Sequence, residues 1–280
     1  MSLSNLRRAV ERRVEAEESF EEQFLKDYNK AYYQIEQERK QEMPDDYYRP
    51  SSLGPGCKRM LAFQKWGAPT DNVDFSDEWT YNLIRITENG TDRHTRIQDV
   101  IKKMEELGLH LENLDVEQVI EEARHRGINS RFVEWDEEHK EARCANDDLK
   151  IWFKADGVFK YRSKEVLFEV KTANGFKFQK IVNSNQPLIE HIRQDTCYSM
   201  GLGIDYVLYL YEDRNFLKTH VILYKISDED KQYIRDKVEE VERIVSSRIV
   251  PPMEEDKCKY CEYTAVCRQY LEGDFFQEQE

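Results

Sequence analysis

Hydrophobic and polar positions are patterned most clearly between Ile151 and Lys171, in IWFKADGVFKYRSKEVLFEVK. Apolar and aromatic residues dominate both ends and charges gather in the middle, which predicts two extended segments joined by a polar turn at Tyr161 to Lys164. Two acids interrupt the pattern: Asp156, after an aromatic run, and Glu169, between Phe168 and Val170. An unpartnered carboxylate is costly to bury, so each requires a cation, a donor or an exit to solvent. Alternation along a strand puts Glu169 and Lys171 on one face and turns Val170 into the core.

The rest of the chain alternates between helical and extended patterns. From Asn5 to Met43 it lacks Gly and Pro and carries Phe20, Phe24, Tyr28 and Tyr32 at four-residue steps, which predicts a helix. Its aromatic stripe packs on the rest of the protein or offers a docking surface to a protein partner. Pro44 and Pro50 bracket a break, so a helical extension (1–46) precedes a main body (47–280). A Gly-Pro-Gly turn then leads into a short helix near Cys57. A long helix is expected from Asp77 to Leu107, with Gly90 and His94 on one face, and another from Asp115 to Arg126, closed by Gly127. A structural role for His94 stays open at this point.

From Arg131 to Thr172 the pattern predicts three strands: RFVEW, KEARCAN with LKIWFKADGVF, and EVLFEVKTA. A helix from Pro187 to Leu202 sets Gln194 and Tyr198 one turn apart, with Arg193 adjacent. DYVLYLYED and KTHVILYKI pair as strands, and Asp228 to Arg248 forms a charged amphipathic helix. The expected fold is α/β, a mixed sheet flanked by helices.

Composition narrows the setting. Hydrophobic residues make up 39% and charged residues 35% of 280, which indicates a globular, polar protein. No apolar run reaches the roughly 18 residues of a membrane span, and MSLSNLRRAVERR holds no apolar signal core, so a soluble protein of the reducing cytoplasm is expected. A net charge of -14 argues against a generally basic nucleic-acid coat. It leaves room for a local basic groove drawn from Lys58, Arg59, Arg93, Arg96, Lys177, Lys180 and Arg193.

The six cysteines divide unevenly: Cys57 stands alone, Cys144 and Cys197 lie in predicted regular elements, and the end of the chain carries Cys258-x2-Cys261-x5-Cys267. A Cys-x2-Cys pair supplies two thiolates from one tight turn, as in zinc and iron–sulfur sites. With no His from Val221 onward, Cys57 is the candidate fourth ligand. The residues leave open zinc, an iron–sulfur cluster, or reduced thiols without metal.

Asp156 with Glu169-x-Lys171 can hold a hard divalent cation between two carboxylates, with an ammonium beside an attacking water. That is equipment for phosphodiester cleavage, although a surface hairpin with an incidental Glu–Lys pair fits the same residues. In order, Cys57, Gly90-x3-His94, Asp156, Glu169-x-Lys171, Gln194-x3-Tyr198 and Cys258-x2-Cys261-x5-Cys267 resemble the PD-(D/E)XK nuclease superfamily. The likeness is to its RecB-like branch with an iron–sulfur cluster, which includes CRISPR-associated adaptation exonucleases and the nuclease domain of AddB. It covers about Pro50 to Tyr270, with Ala155 where the superfamily's proline would stand.

The resemblance implies a restriction-endonuclease-like core and a cluster lobe in which 50–70 and 250–272 join the two ends of the main body. It implies that His94, Asp156 and Glu169 bind Mg or Mn, with the Val170 carbonyl as a further ligand, and that Lys171 orients or activates the water. Gln194 and Tyr198 would hold the substrate strand, and Cys57, Cys258, Cys261 and Cys267 would ligate a [4Fe-4S] cluster, with zinc as the alternative. The implied activity is hydrolysis of DNA, from an end and on single strands, in CRISPR adaptation, viral replication or repair. Two other readings are a non-catalytic nucleic-acid-binding or assembly subunit with a zinc clip, and a structure-specific or nicking endonuclease.

Overall fold

In chain order the elements are α1 (Phe20–Arg39), α2 (Pro50–Leu53), α3 (Lys58–Lys65), α4 (Glu78–Glu106), β1 (Leu111–Asn113), α5 (Val116–His125), β2 (Ser130–Asp136), β3 (Glu141–Asn146) and β4 (Ile151–Lys154). There follow β5 (Gly157–Tyr161), β6 (Lys164–Ala173), α6 (Gly175–Ser184), α7 (Ile189–Leu202), β7 (Tyr206–Asp213), β8 (Thr219–Lys225), α8 (Asp228–Ser247), a 3-10 turn (Glu255–Tyr260) and α9 (Thr264–Arg268). The structure, a computed structural model, describes residues 19–39, 43–71, 78–136 and 141–277, so the first part of the helix expected from Asn5 lies outside the described residues. No helix among the described residues is long and apolar enough to cross a membrane.

Two compact units emerge, one of Met1–Glu42 with Asn72–Asn89 and one of Met43–Asp71 with Gly90–Glu280. In the first, Arg85 donates to Asn29 Oδ1 and lays its guanidinium 5.3 Å from the Tyr28 ring centre and 5.7 Å from that of Tyr32. Phe24 stacks on Tyr28, and Phe20, Phe24 and Tyr28 are all exposed.

The second unit is built on a five-stranded sheet in the order β1-β5-β6-β7-β8. β5 and β6 form the hairpin predicted around Tyr161. Its two loop residues, Arg162 and Ser163, have φ of 46° and 68°, the left-handed pair that matches the twist of a two-residue hairpin. β6 and β7 run parallel, and parallel neighbours need a crossover, supplied here by α6 and α7. A separate antiparallel sheet, β2-β3-β4, precedes this one.

One expectation is corrected. The stretch from Leu149 to Phe159 is not a single strand, because β4 pairs with β3 in the smaller sheet and β5 with β6 in the larger. The chain changes sheets at Ala155 and Asp156, where the Asp156 carboxylate takes a main-chain amide of β6 in place of a ladder bond. Among the elements that the pattern did not indicate are the short β1 and α6, the latter capped by Asn174 accepting from the Lys177 amide at 3.0 Å.

Alternation along β6 separates two cores. Val166, Phe168 and Val170 pack with Ile97 of α4 and Leu111 of β1, whereas Leu167 packs with Ile192, Cys197 and Tyr198 of α7 and Ile234 and Val238 of α8. Glu169 and Lys171 share the parity of Leu167 and so face α7.

A third cluster joins α3 to the C-terminal segment: Phe63 and Trp66 pack with Tyr263, Val266, Cys267 and Phe276. Arg59 donates to the carbonyls of Cys267 (3.0 Å) and Tyr270 (2.6 Å).

Gly54, just after α2, is pressed against the main chain of α7. A Cβ there would stand 2.8 Å from the carbonyl carbon of Arg193 and from the amide nitrogen of Gln194. Gly54→Ala is expected to destabilise the protein by about 1–3 kcal/mol in denaturant unfolding, since main chain cannot swing aside as a side chain can.

Candidate active site

The β5–β6 ladder ends with the pair Gly157 and Phe168. Beyond it the Val170 amide donates to Asp156 Oδ2 at 2.8 Å, so a side chain continues what the strand pairing leaves off. The other oxygen, Oδ1, lies 3.2 Å from His94 Nδ1. Gln98, one turn further along α4, donates to the Asp156 carbonyl at 3.1 Å and fixes the helix to the point where the chain changes sheets.

On the α7 face of β6, Lys171 Nζ donates to Glu169 Oε1 at 2.5 Å and to Gln194 Oε1 at 3.2 Å. Gln194 Nε2 in turn donates to the Tyr198 hydroxyl at 2.8 Å. The residues singled out in the sequence thus form two bonded groups, His94 with Asp156 and Glu169 with Lys171, Gln194 and Tyr198. The groups meet across β6, where Asp156 acts electrostatically on both Glu169 and Lys171. The His94 side chain is 26% exposed and that of Glu169 3%, so the imidazole is the more accessible end of the site and the second carboxylate the enclosed one.

Charge in this pocket is unbalanced. Burial raises the pKa of Glu169 well above its ordinary value, the charges of Asp156 and Asp195 add to that, and Lys171 opposes it. Its Oε2 is buried without a hydrogen-bond partner among the described residues. For Asp156 burial acts upward, but His94, Lys171 and the Val170 amide outweigh it and the pKa falls. Lys171 shows the mirror case: burial acts downward, and Glu169, Asp195 and Asp156 together raise it, so it stays an ammonium ion. Three carboxyl groups therefore surround one cation.

Asp195 and three neighbours are additions that the motif pattern did not contain. Asp195 follows Gln194 on α7, is 0% exposed, and lies beside the Tyr209 hydroxyl, with neither oxygen in a hydrogen bond of good geometry among the described residues. Burial pushes its pKa up to about 7, against the pull of Lys171. Tyr209 stacks on Tyr211, whose hydroxyl lies 2.9 Å from His191 Nδ1. Burial, then the charges of Lys171 and Lys177, lower His191 to about 3 and keep the ring neutral. A sequence signal existed for the three neighbours. His191 is one turn before Gln194 on the same predicted helix, and Tyr209 and Tyr211 share a face in YVLYLY.

The donor set around Asp156 is one imidazole and two carboxylates, with a carboxylate oxygen left over, which suits a hard divalent cation. As placed, the three side chains do not converge on one point, and no three His, Cys, Asp or Glu side chains do so among the described residues. The cause is visible in the bonding: Glu169 is turned to Lys171, while Asp156 is held by Val170 and His94.

The cysteines fall into two sets, all of them free thiols. Cys57 stands at the N-cap of α3, Cys258 lies in the 3-10 turn, Cys261 caps its end, and Cys267 lies in α9. Burial raises the Cys261 thiol and the charges of Cys57, Cys267 and Cys258 raise it further; burial also raises Cys267, which Arg59 opposes and Cys258 and Cys57 push further. Cys144 and Cys197 lie apart in the main core, where burial pushes the first up to about 12 and raises the second as well.

No family model matches the sequence, and no curated protein matches it. Among solved structures, that of SSO0001 resembles the chain with a TM-score of 0.47 at 16% identity, covering 90% of this chain and 98% of that one. An alkaline exonuclease from Laribacter hongkongensis gives a TM-score of 0.44 at 12% identity, covering 72% of this chain and 89% of that one. Candida albicans Rai1 in complex with pU5-Mn2+ gives 0.22 at 14%, covering 87% and 66%. Likenesses this distant carry no functional inference.

The raised pKa of Asp195 makes stability depend on pH. The unfolded group titrates near 3.8 and the folded one near 7, so the native state binds the extra proton, and stability falls as pH rises through that window. Asp195→Asn removes the fall. At pH 8 it is expected to exceed the wild type in stability by up to about 4 kcal/mol, and at pH 4 to match it, in denaturant unfolding at the two pH values.

Proposed function

We propose that this chain is a divalent-metal-dependent nuclease that hydrolyses phosphodiester bonds of DNA. The observation that carries the reading is the pocket at the end of β6. There the charge of Asp156 acts on the buried Glu169, one Glu169 oxygen lacks a partner among the described residues, and Lys171 is bonded to Glu169 and Gln194. A structural ion pair would need one acid for one base, whereas this pocket holds three carboxyl groups for one ammonium and gains stability from further positive charge.

His94, Asp156, Glu169 and the Val170 carbonyl would hold a magnesium or manganese ion, which supplies positive charge against the charge developing on the scissile phosphate. Lys171, kept protonated by its acidic neighbours, donates hydrogen bonds and orients the attacking water beside Glu169. Gln194 and the Tyr198 hydroxyl, already linked to Lys171, position the strand from the α7 side. Neutral His191 is held by the Tyr211 hydroxyl, and Tyr211 stacks on Tyr209.

The depth of the carboxylates favours single-stranded substrate. The Glu169 side chain is 3% exposed, and a flexible single strand reaches so enclosed a site more easily than a rigid duplex. Threading also favours attack from an end, so closed circular single-stranded DNA is expected to resist cleavage.

Cys57, Cys258, Cys261 and Cys267 are assigned in this reading to a [4Fe-4S] cluster. Four thiol donors without a carboxylate suit a soft metal site. The site would fasten α3 to the C-terminal segment, which the Phe63 and Arg59 contacts already join.

Glu169→Ala and Lys171→Ala are each expected to lower Mn-dependent degradation of end-labelled single-stranded DNA by roughly a hundredfold or more with far-UV circular dichroism unchanged. Full activity in both variants contradicts the assignment. Protein purified without oxygen is expected to hold about four iron and four sulfide per chain, lost in Cys57→Ser. A colourless protein with one zinc removes the cluster while leaving the nuclease reading intact.

A further inference from the structure

From the surface beside this pocket we infer a stacking platform, formed by Phe176 and Phe216, for unpaired bases of a strand entering the site. The inference rests on the nuclease reading and adds how the substrate is gripped. Phe176, the second residue of α6, is 85% exposed, and Phe216, in the turn between β7 and β8, is 72% exposed. The two turns are tied together. The Arg214 amide donates to the Ala173 carbonyl at 2.9 Å, Arg214 Nε donates to Thr172 Oγ1 at 3.2 Å, and Asn215 Nδ2 lies 3.4 Å from where a Gly175 Cβ would be. Thr172 and Ala173 directly follow Lys171 on β6, so the platform begins where the pocket's strand ends.

Single exposed apolar residues are ordinary, but two large rings on adjoining turns are not. The charge around them selects the occupant. Val170 to Ile189 contains three lysines and no acidic residue, in a chain whose net charge is -14. Lys177 and Lys180 are exposed on α6, and the charge of Lys177 reaches His191, on the pocket side. Arg93 donates to the Arg214 carbonyl at 3.1 Å, and Arg93 and Arg96 both bind the buried Glu212. One carboxylate thus meets two arginines, with Lys177 and Lys180 still facing solvent.

Flat apolar rings interspersed with cations match the alternation of base and phosphate along a single strand. Every base has a face that can stack, so the grip carries no sequence preference. A protein helix would want a continuous apolar groove, which two protruding rings among lysines do not provide.

The test measures binding of a short single-stranded oligonucleotide containing 2-aminopurine to the full chain in EDTA, where stacking quenches the probe and nothing is cleaved. Phe176→Ala and Phe216→Ala are expected to weaken binding by about tenfold each, the factor that ~1.4 kcal/mol of lost stacking gives, and to relieve the quench. Phe176→Trp is expected to retain both, and a blunt duplex of equal length to change by less than about twofold. Binding within about twofold of wild type in both alanine variants overturns the platform, as does a wild type that binds no oligonucleotide. A change in self-association on sedimentation without a change in oligonucleotide binding overturns it too, by assigning the patch to a second copy of the chain. Normal binding in the alanine variants alongside loss of cleavage in Glu169→Ala would remove the platform and keep the nuclease. Weakened binding in a protein that cleaves nothing would do the reverse.

Discussion

The two oxygens of Asp156 point in different directions, one to the Val170 amide and the other to His94. That division is what the rest of the second unit depends on. By taking the amide, the carboxylate lets β5 leave the β5–β6 ladder without orphaning a buried donor, and so lets the chain pass from the small sheet to the large one. By facing the imidazole, it fixes α4 against the same point, with Gln98 adding a second bond to the Asp156 carbonyl. One residue therefore serves as a joint in the fold and as a wall of the pocket. Replacing it would disturb both, which is why Glu169 and Lys171 are the cleaner probes of chemistry.

The pocket is built so that burial does the electrostatic work. Lys171 would lose its proton in so enclosed a place were it not ringed by Glu169, Asp195 and Asp156, and Glu169 would be an ordinary acid were it not enclosed with two others. The surplus acidity is compatible with folding because it is relieved by protonation, with Asp195 able to carry a proton up to about pH 7. A cation entering the pocket would compete with that proton.

Much of this was legible in the chain. The alternation in FEVK places Glu169 and Lys171 on one face because the pleat has a strict period of two, and the i, i+4 spacing of Gln194 and Tyr198 brings them together on α7 for an equally local reason. What could not be read was long-range. Nothing local in IWFKADGVF marks a change of sheet, because both halves are apolar and extended; the break follows from a hydrogen bond to Val170, fourteen residues on. α6 was missed because its segment, GFKFQKIVNS, begins with Gly and its start depends on the Asn174 cap. Asp195 escaped notice because its meaning comes from Tyr209 and Lys171, on other elements. The grouping of Cys57 with the C-terminal cysteines, by contrast, came from counting thiols and not from any local pattern.

The central claim is that the acids of the β6 pocket bind a divalent cation. It is tested most directly by titrating Mn2+ into metal-free protein and following the free ion by electron paramagnetic resonance, in wild type, Glu169→Gln and Asp156→Asn, with Mg2+ as competitor. The account predicts saturable binding in the wild type that Mg2+ displaces and that either substitution weakens by at least about tenfold. Equal Mn2+ binding in all three proteins, or no binding in the wild type, would contradict it.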